Sequence, residues 1–150
     1  MIYREYDAGC DLYPLLRLLD AFWSEVHREN LNRMFVYEGQ KFNGLEGKLY
    51  QFLNEGCKIT VAESEGTLIG FLIYHLIYDT ICVTRALYLV PEKRKCTLMY
   101  GFYREMIKNG VKKVYSQDYI NHEPKEMRGE TSKRKLLAQK DGMNIWEYSF

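Results

Sequence analysis

Along this chain apolar residues recur at helical spacing in some stretches and at alternate positions in others, and the switches mark its elements. Ile2 to Tyr6 reads as a short opening strand. From Asp11, Leu12, Leu15, Leu16, Leu19, Phe22, Trp23 and Val26 form one helical stripe, with Asp11 as N-cap and Pro14 tolerated in the first turn. Glu29 to Lys41 is irregular and polar. Asn43 caps a second helix with Glu46 three residues on. Leu45, Leu49, Phe52 and Leu53 are its buried stripe, and Gly56 ends it. The period then changes. KITVAE puts Ile59 and Val61 on one face, SEGT turns the chain, and LIGFLIYHLIY is apolar on both faces, as a covered central strand is.

Asp79-Thr80 closes a tight hairpin to ICVTRALYLV. If Tyr78 pairs with Ile81, His75 falls opposite Thr84 and Tyr74 opposite Arg85. PEKRKCT is a basic turn, followed by a helix with Leu98, Met99, Phe102, Met106 and Ile107 on one stripe, ending at Gly110. VKKVYSQ is a strand, NHEPKEMRGE a loop, SKRKLLAQKDG a short helix, and MNIWEYSF a closing strand with Trp146, Tyr148 and Phe150 on one face. The order β, α, α, β, β, β, α, β, α, β predicts an α/β (α+β) fold. Its mixed, mostly antiparallel sheet has about six strands and helices on both faces.

The 150 residues are expected to form a single domain spanning 1–150. A net charge of +1 gives no broad basic field and argues against general nucleic-acid binding. The basic stripe from Lys125 to Lys140 reads most simply as a solvated helix face, although a local nucleic-acid contact predicts steep salt dependence. Cys10, Cys57, Cys82 and Cys96 are far apart and form no CxxC pair. With three scattered histidines, no metal site is expected, and the cysteines read as reduced thiols of a cytoplasmic protein. MIYREYD contains no apolar signal core, and no run approaches a membrane span, so no membrane partner is expected.

Chemistry concentrates between Thr80 and Gly110. A buried strand, a Pro-initiated basic turn and a helix make an anion site, because the first helical N–H groups lack partners and the helix dipole points its positive end at the loop. Arg94 and Lys95 add two cations.

This unit and the order of elements resemble the GNAT family of coenzyme A-dependent N-acyltransferases over essentially the whole chain, with small bacteriophage-encoded members closest in texture. VAESEGTLIGFLIY is similar to the family's second and third strands. LYLVPEKRKCTLMYGFYREMIKNGVKKVY is similar to its fourth strand, acyl-CoA loop, third helix and fifth strand. LLAQKDGMNIWEY resembles its closing helix and strand. The resemblance implies an acetyl-CoA-dependent N-acetyltransferase acting on a primary amine by direct attack, with the acceptor class left open. Cofactor binding would involve the backbone of Leu89 and Val90 against the pantetheine arm, which needs the fourth and fifth strands to splay. The loop residues Arg94, Lys95, Cys96, Thr97, Leu98 and Met99 would lie against the pyrophosphate.

Arg94 matches the first position of the loop pattern, but Thr97 and Met99 (or Cys96 and Leu98) stand where glycines are expected. The family's usual glutamate position on the fourth strand is occupied by Thr84, Arg85 and Ala86. Counting back from Gly142, its usual tyrosine position falls at Ala138. Substitute catalytic candidates are His75 beside the expected splay, Tyr119 as proton donor to the leaving thiolate, and His122. Glu123, Glu63 and Cys96 are further candidates, and each of the six has packing or solvation as its plainer role. Phe22, Trp23, Phe35, Tyr37 and Phe42 line either an acceptor pocket or the core. The vacant positions keep open a catalytically inactive GNAT-fold binding or assembly protein. The aromatic C-terminal strand is a candidate edge for a homodimer.

Overall fold

A computed structural model describes residues 1–29, 42–94, 101–119, 133–140 and 142–150, and their side chains except those of 26–29, 42–44, 118–119 and 133. The chain runs β1 (Ile2–Glu5), α1 (Ala8–Glu29), α2 (Phe42–Asn54), β2 (Lys58–Ser64), β3 (Thr67–Ile77), β4 (Ile81–Leu89), a 3₁₀ turn at Pro91–Lys93, α3 (Gly101–Lys108), β5 (Lys113–Tyr119), β6 (Lys133–Lys140) and β7 (Met143–Ser149). The seven strands form one sheet in the order β1-β2-β3-β4-β5-β7-β6. All neighbours are antiparallel except β4 and β5. The expected mixed sheet is therefore present, with one strand more than expected.

Helices cover both faces. Leu15, Leu16 and Leu19 of α1 and Leu45 and Leu49 of α2 bury against Val61, Phe71, Ile73, Ala86 and Tyr88. On the other face Phe102, Tyr103 and Met106 of α3 pack with Ala62, Leu72, Tyr74, Cys82, Val114 and Tyr148. This double burial is why β3 reads as a continuous apolar run. Cys10, Cys57 and Cys82 are unpaired thiols. Burial pushes the Cys82 thiol up to about 12. A thiol-reactive disulfide reagent at pH 8 is therefore expected to modify exposed Cys10 in the folded protein, slowed by the neighbouring Asp11, and Cys82 only after unfolding.

Local chemistry sets the ends of the elements. Asp7, not Asp11, caps α1: its Oδ1 accepts the Gly9 N–H at 2.8 Å. The helix thus begins three residues before Asp11, and Pro14 lies inside it rather than at its start. Asp11 instead receives two bonds from the Arg4 guanidinium, at 2.6 and 2.9 Å, which tie β1 to α1. Likewise α2 begins at Phe42, so Asn43 lies within its first turn. Gly56 does end α2, in the left-handed conformation at φ 86°, with the Cys57 N–H returning to the Phe52 carbonyl at 3.0 Å.

Two expectations are corrected. The β3–β4 hairpin turns through three residues, Tyr78 to Thr80, with Ile77 opposite Ile81, and Tyr78 and Asp79 take φ of 51° and 59°. The register therefore moves by one, setting His75 opposite Val83 and Tyr74 opposite Thr84. The segment expected as a closing helix is β6, a strand hydrogen-bonded to β7 along its length. Lys140 pairs with Met143 across a two-residue loop whose second member, Gly142, has φ 75°. That hairpin geometry overrides the good intrinsic helix propensity of Lys, Leu, Ala and Gln. Arg134 to Lys140 are all exposed, and lysines on this outer strand discourage further pairing. Because β7 is paired on both sides, it offers no edge to a second copy, and among the described residues the outer strands are β1 and β6.

Candidate functional site

Among the described residues the sheet opens between β4 and β5. β4 and β5 pair only through Ile81↔Lys113, Cys82↔Val114 and Val83↔Tyr115. Beyond that, β4 continues to Leu89 and β5 to Tyr119 without meeting. A bulge explains the parting. On β3, adjacent Ile73 and Tyr74 face Ala86 and Thr84, so Arg85 is an extra residue in β4. A bulge bends its strand and increases the local twist, and this one falls two residues after the last β4–β5 pair.

The open edge of β4 presents main-chain groups. The Val90 N–H donates to the Ile69 carbonyl at 2.8 Å. Alternate residues of an antiparallel strand point the same way, so Ala86, Tyr88 and Val90 direct their backbone groups to β3, whereas Leu87 and Leu89 direct theirs into the cleft. Of the two backbone positions expected to line a cofactor, Leu89 faces the opening and Val90 does not.

Arg94 closes the end of β4. Its Nε donates to the Leu89 carbonyl at 2.6 Å, and its two terminal nitrogens form a bidentate pair with Glu25 of α1 at 2.5 and 2.7 Å. The guanidinium also stacks over the Tyr88 ring, 5.0 Å from its centroid. Tyr88 in turn joins Phe22, Trp23 and Phe71 in an aromatic cluster with ring separations of 5.6 to 6.2 Å. Of the aromatic residues expected near an acceptor pocket, Phe22 and Trp23 are in this cluster. Phe35, Tyr37 and the Phe42 side chain lie outside what is described.

At the apex, on the α3 face, the Thr84 hydroxyl is 2.9 Å from the hydroxyl of Tyr103, which is 1% exposed. Sequence reasoning missed Tyr103 because it falls on the apolar stripe of α3 and reads as core. His75 is on the opposite face. Its Nε2 is 3.2 Å from Cys57 Sγ and 3.2 Å from Arg85 Nη1, and Arg85 Nη1 donates to Glu55 at 3.1 Å. Tyr119 ends β5 opposite Met143, with its side chain outside the described set. Lys95, Cys96, Thr97, Leu98, Met99, His122 and Glu123 also lie outside the described residues. Glu63 accepts from Arg4 Nε at 2.8 Å near the β1 edge and is not part of the opening. Ala138 lies in β6 rather than in a helix, so the count that placed a tyrosine position there has no structural basis.

Comparison with solved structures matches this architecture over nearly the full chain. The PaiA N-acetyltransferase of Thermoplasma acidophilum, solved in complex with coenzyme A, superposes with a TM-score of 0.65 at 16% identity, covering 100% of both chains. An aminoglycoside 6'-acetyltransferase type Ii gives 0.64 at 20% identity, over 99% of this chain and 96% of that one. A GNAT-family acetyltransferase of Bacillus cereus gives 0.62 at 13% identity, over 99% and 95%.

The chain has the GNAT fold. No sequence-family model matches it, and no curated protein matches it in sequence. Within this GNAT fold the opening between β4 and β5 presents the Leu87 and Leu89 backbone along its edge, with the half-buried Thr84–Tyr103 hydroxyl pair at its apex and Arg94 at the far end of β4. Among the described residues, no helix is long and apolar enough to cross a membrane.

Proposed function

We propose that the protein is an N-acetyltransferase that uses acetyl-CoA and passes its acetyl group to a primary amine by direct attack. The observation that carries this reading is the parting of β4 from β5 after Val83↔Tyr115, which leaves the Leu87 and Leu89 backbone unclaimed by a neighbouring strand. An extended pantetheine arm with its two amides is an occupant such an edge can pair with, in the manner of an added strand. GNAT-fold structures solved with coenzyme A support that choice of cofactor. Arg94 would then yield the Leu89 carbonyl to the arm, or keep it and offer its charge to the pyrophosphate; Lys95 to Met99 would supply backbone donors there. The unpaired thiols favour a cytoplasmic setting.

In the reaction, the acceptor ammonium first loses a proton to water or a nearby base, and the neutral amine attacks the thioester carbonyl carbon. The C–N bond forms, the C–S bond breaks, the attacking nitrogen gives up its second proton to water or the base, and the departing thiolate must be protonated. Tyr103, bonded to Thr84 at the apex, is the proton source we assign, with Tyr119 as the candidate from sequence. Tyr103→Phe is expected to lower kcat about a hundredfold with little change in KM. An unchanged kcat would transfer the role to another group.

The test is release of free coenzyme A from acetyl-CoA in the presence of a panel of amines: aminoglycosides, polyamines, and peptides with free N-termini or lysines. Amine-dependent release supports the proposal. A second reading, a GNAT-fold binding module without catalysis, is favoured by the Arg94–Leu89–Glu25 contacts that already occupy the β4 end. It predicts no acetyl-CoA binding even at millimolar concentration.

A further inference from the structure

We infer that Glu55, Cys57 and His75 form a binding site for a borderline-soft divalent transition metal of the zinc class, separate from the cleft between β4 and β5. One ligand atom from each of the three lies within 4.8 Å of the others. A carboxylate, a thiol and an imidazole are the donor types such an ion takes.

The fold builds this corner from three directions. Gly56 at φ 86° turns the chain sharply out of α2, placing Glu55 and Cys57 on either side of the bend. Lys58 is opposite Tyr74 in the β2–β3 ladder, and extending that register by one residue sets Cys57 across from His75. The bulge in β4 aims Arg85 at the same point. Cysteines and histidines scattered in sequence thus meet through a register that spacing alone does not disclose.

Three features favour an ion here. The first is distance. For a tetrahedral ion with typical Zn–S and Zn–N lengths, sulfur and nitrogen are about 3.5 Å apart. Cys57 Sγ and His75 Nε2 are already 3.2 Å apart, so a few tenths of an ångström admit a metal.

The second feature is a shortage of acceptors. A neutral imidazole nitrogen has one lone pair, yet His75 Nε2 faces both the Cys57 thiol and Arg85 Nη1, each at 3.2 Å and each a donor. An ion bound by the thiolate and Nε2 removes this competition. The third is that a cation already fits: Arg85 Nη1 is held between Glu55 Oε2 at 3.1 Å and His75 Nε2. With the metal in place, Arg85 would release His75 and stay on Glu55 Oε2, leaving Oε1 for the ion. Cys57 would lose its proton on binding, and water would complete a four-coordinate shell.

The test is titration of the full-length, reduced protein with Co²⁺, followed by absorbance. The expected result is one Co²⁺ per chain, with the intense visible bands of a four-coordinate site and a thiolate-to-cobalt charge-transfer band. Cys57→Ser is expected to abolish the charge-transfer band, and His75→Gln to weaken binding at least about tenfold. Arg85→Gln, which removes the competing cation, is expected to tighten it. This opposite direction separates ligand loss from misfolding, and circular dichroism on each variant checks the fold. Absence of these bands up to millimolar Co²⁺ would overturn the inference. So would charge transfer that persists in Cys57→Ser, which would assign the thiolate elsewhere, or weaker binding by Arg85→Gln.

Discussion

Asp11→Ala is expected to destabilise the protein by about 3 kcal/mol, the scale for breaking a buried ion pair. That corresponds to a fall in Tm of about 6–12 °C for a chain of this size. Asp11 is 3% exposed and holds the Arg4 guanidinium through two bonds, while also accepting the Asp7 N–H at 2.8 Å. The variant leaves Arg4 with Glu63 as its carboxylate partner and unfastens β1 from α1. Arg4 holds the Asp11 carboxyl below the usual carboxylate range. A depressed carboxylate pKa contributes stability that is fully present above the unfolded value of about 3.9 and is lost as pH falls through the folded value. The difference between wild type and Asp11→Asn should therefore be full at pH 7 and shrink below about pH 4. A difference that stays constant from pH 7 to pH 2 would deny Asp11 this role.

The same substitution at two glycines is expected to have opposite effects. Gly70 faces Leu89 across the β3–β4 ladder, and a Cβ there would sit 2.6 Å from the Tyr88 carbonyl oxygen and 2.9 Å from Leu89 Cδ1. The first of these is backbone and cannot rotate away. Gly70→Ala should cost about 1–3 kcal/mol, as overpacking does. It should also weaken acetyl-CoA binding, because the displaced segment is the one that faces the cleft. Gly47 lies inside α2 with nothing within 4 Å of an added Cβ. Gly47→Ala should therefore stabilise the protein by about 1 kcal/mol, the helix-propensity difference. Denaturant melts of the two variants check both signs at once, and a stabilised Gly70→Ala would mean that β4 does not run where it is described.

Much of this architecture is legible in the residues because burial imposes period. The two-sided apolar run of β3 and the α1 and α2 stripes against it announce a covered sheet. The opening in the sheet is legible only through resemblance, since its cause is one extra residue at Arg85 and no composition marks a bulge. Where local propensity and pairing disagree, propensity misleads. KRKLLAQK is rich in helix formers, yet the Asp141-Gly142 dipeptide after it is a strong hairpin signal, and β7 supplies the partner. The hairpin at Tyr78–Thr80 uses a third residue, which shifts the partners of Tyr74 to Ile77 by one, and the bulge at Arg85 restores the expected register from Ile73 to Gly70. Cys57, His75 and Arg85 could not be joined beforehand, because their meeting depends on a register and a bulge.

The proposed function requires the β4 edge past Val83 to be a binding track. Its most direct test is amide chemical-shift mapping of the isotope-labelled protein during titration with acetyl-CoA. A one-to-one complex whose largest perturbations include the Leu87 and Leu89 amides, with Ala86 and Tyr88 moving less, is the predicted outcome. Saturating acetyl-CoA that leaves Leu87 and Leu89 unmoved would contradict it.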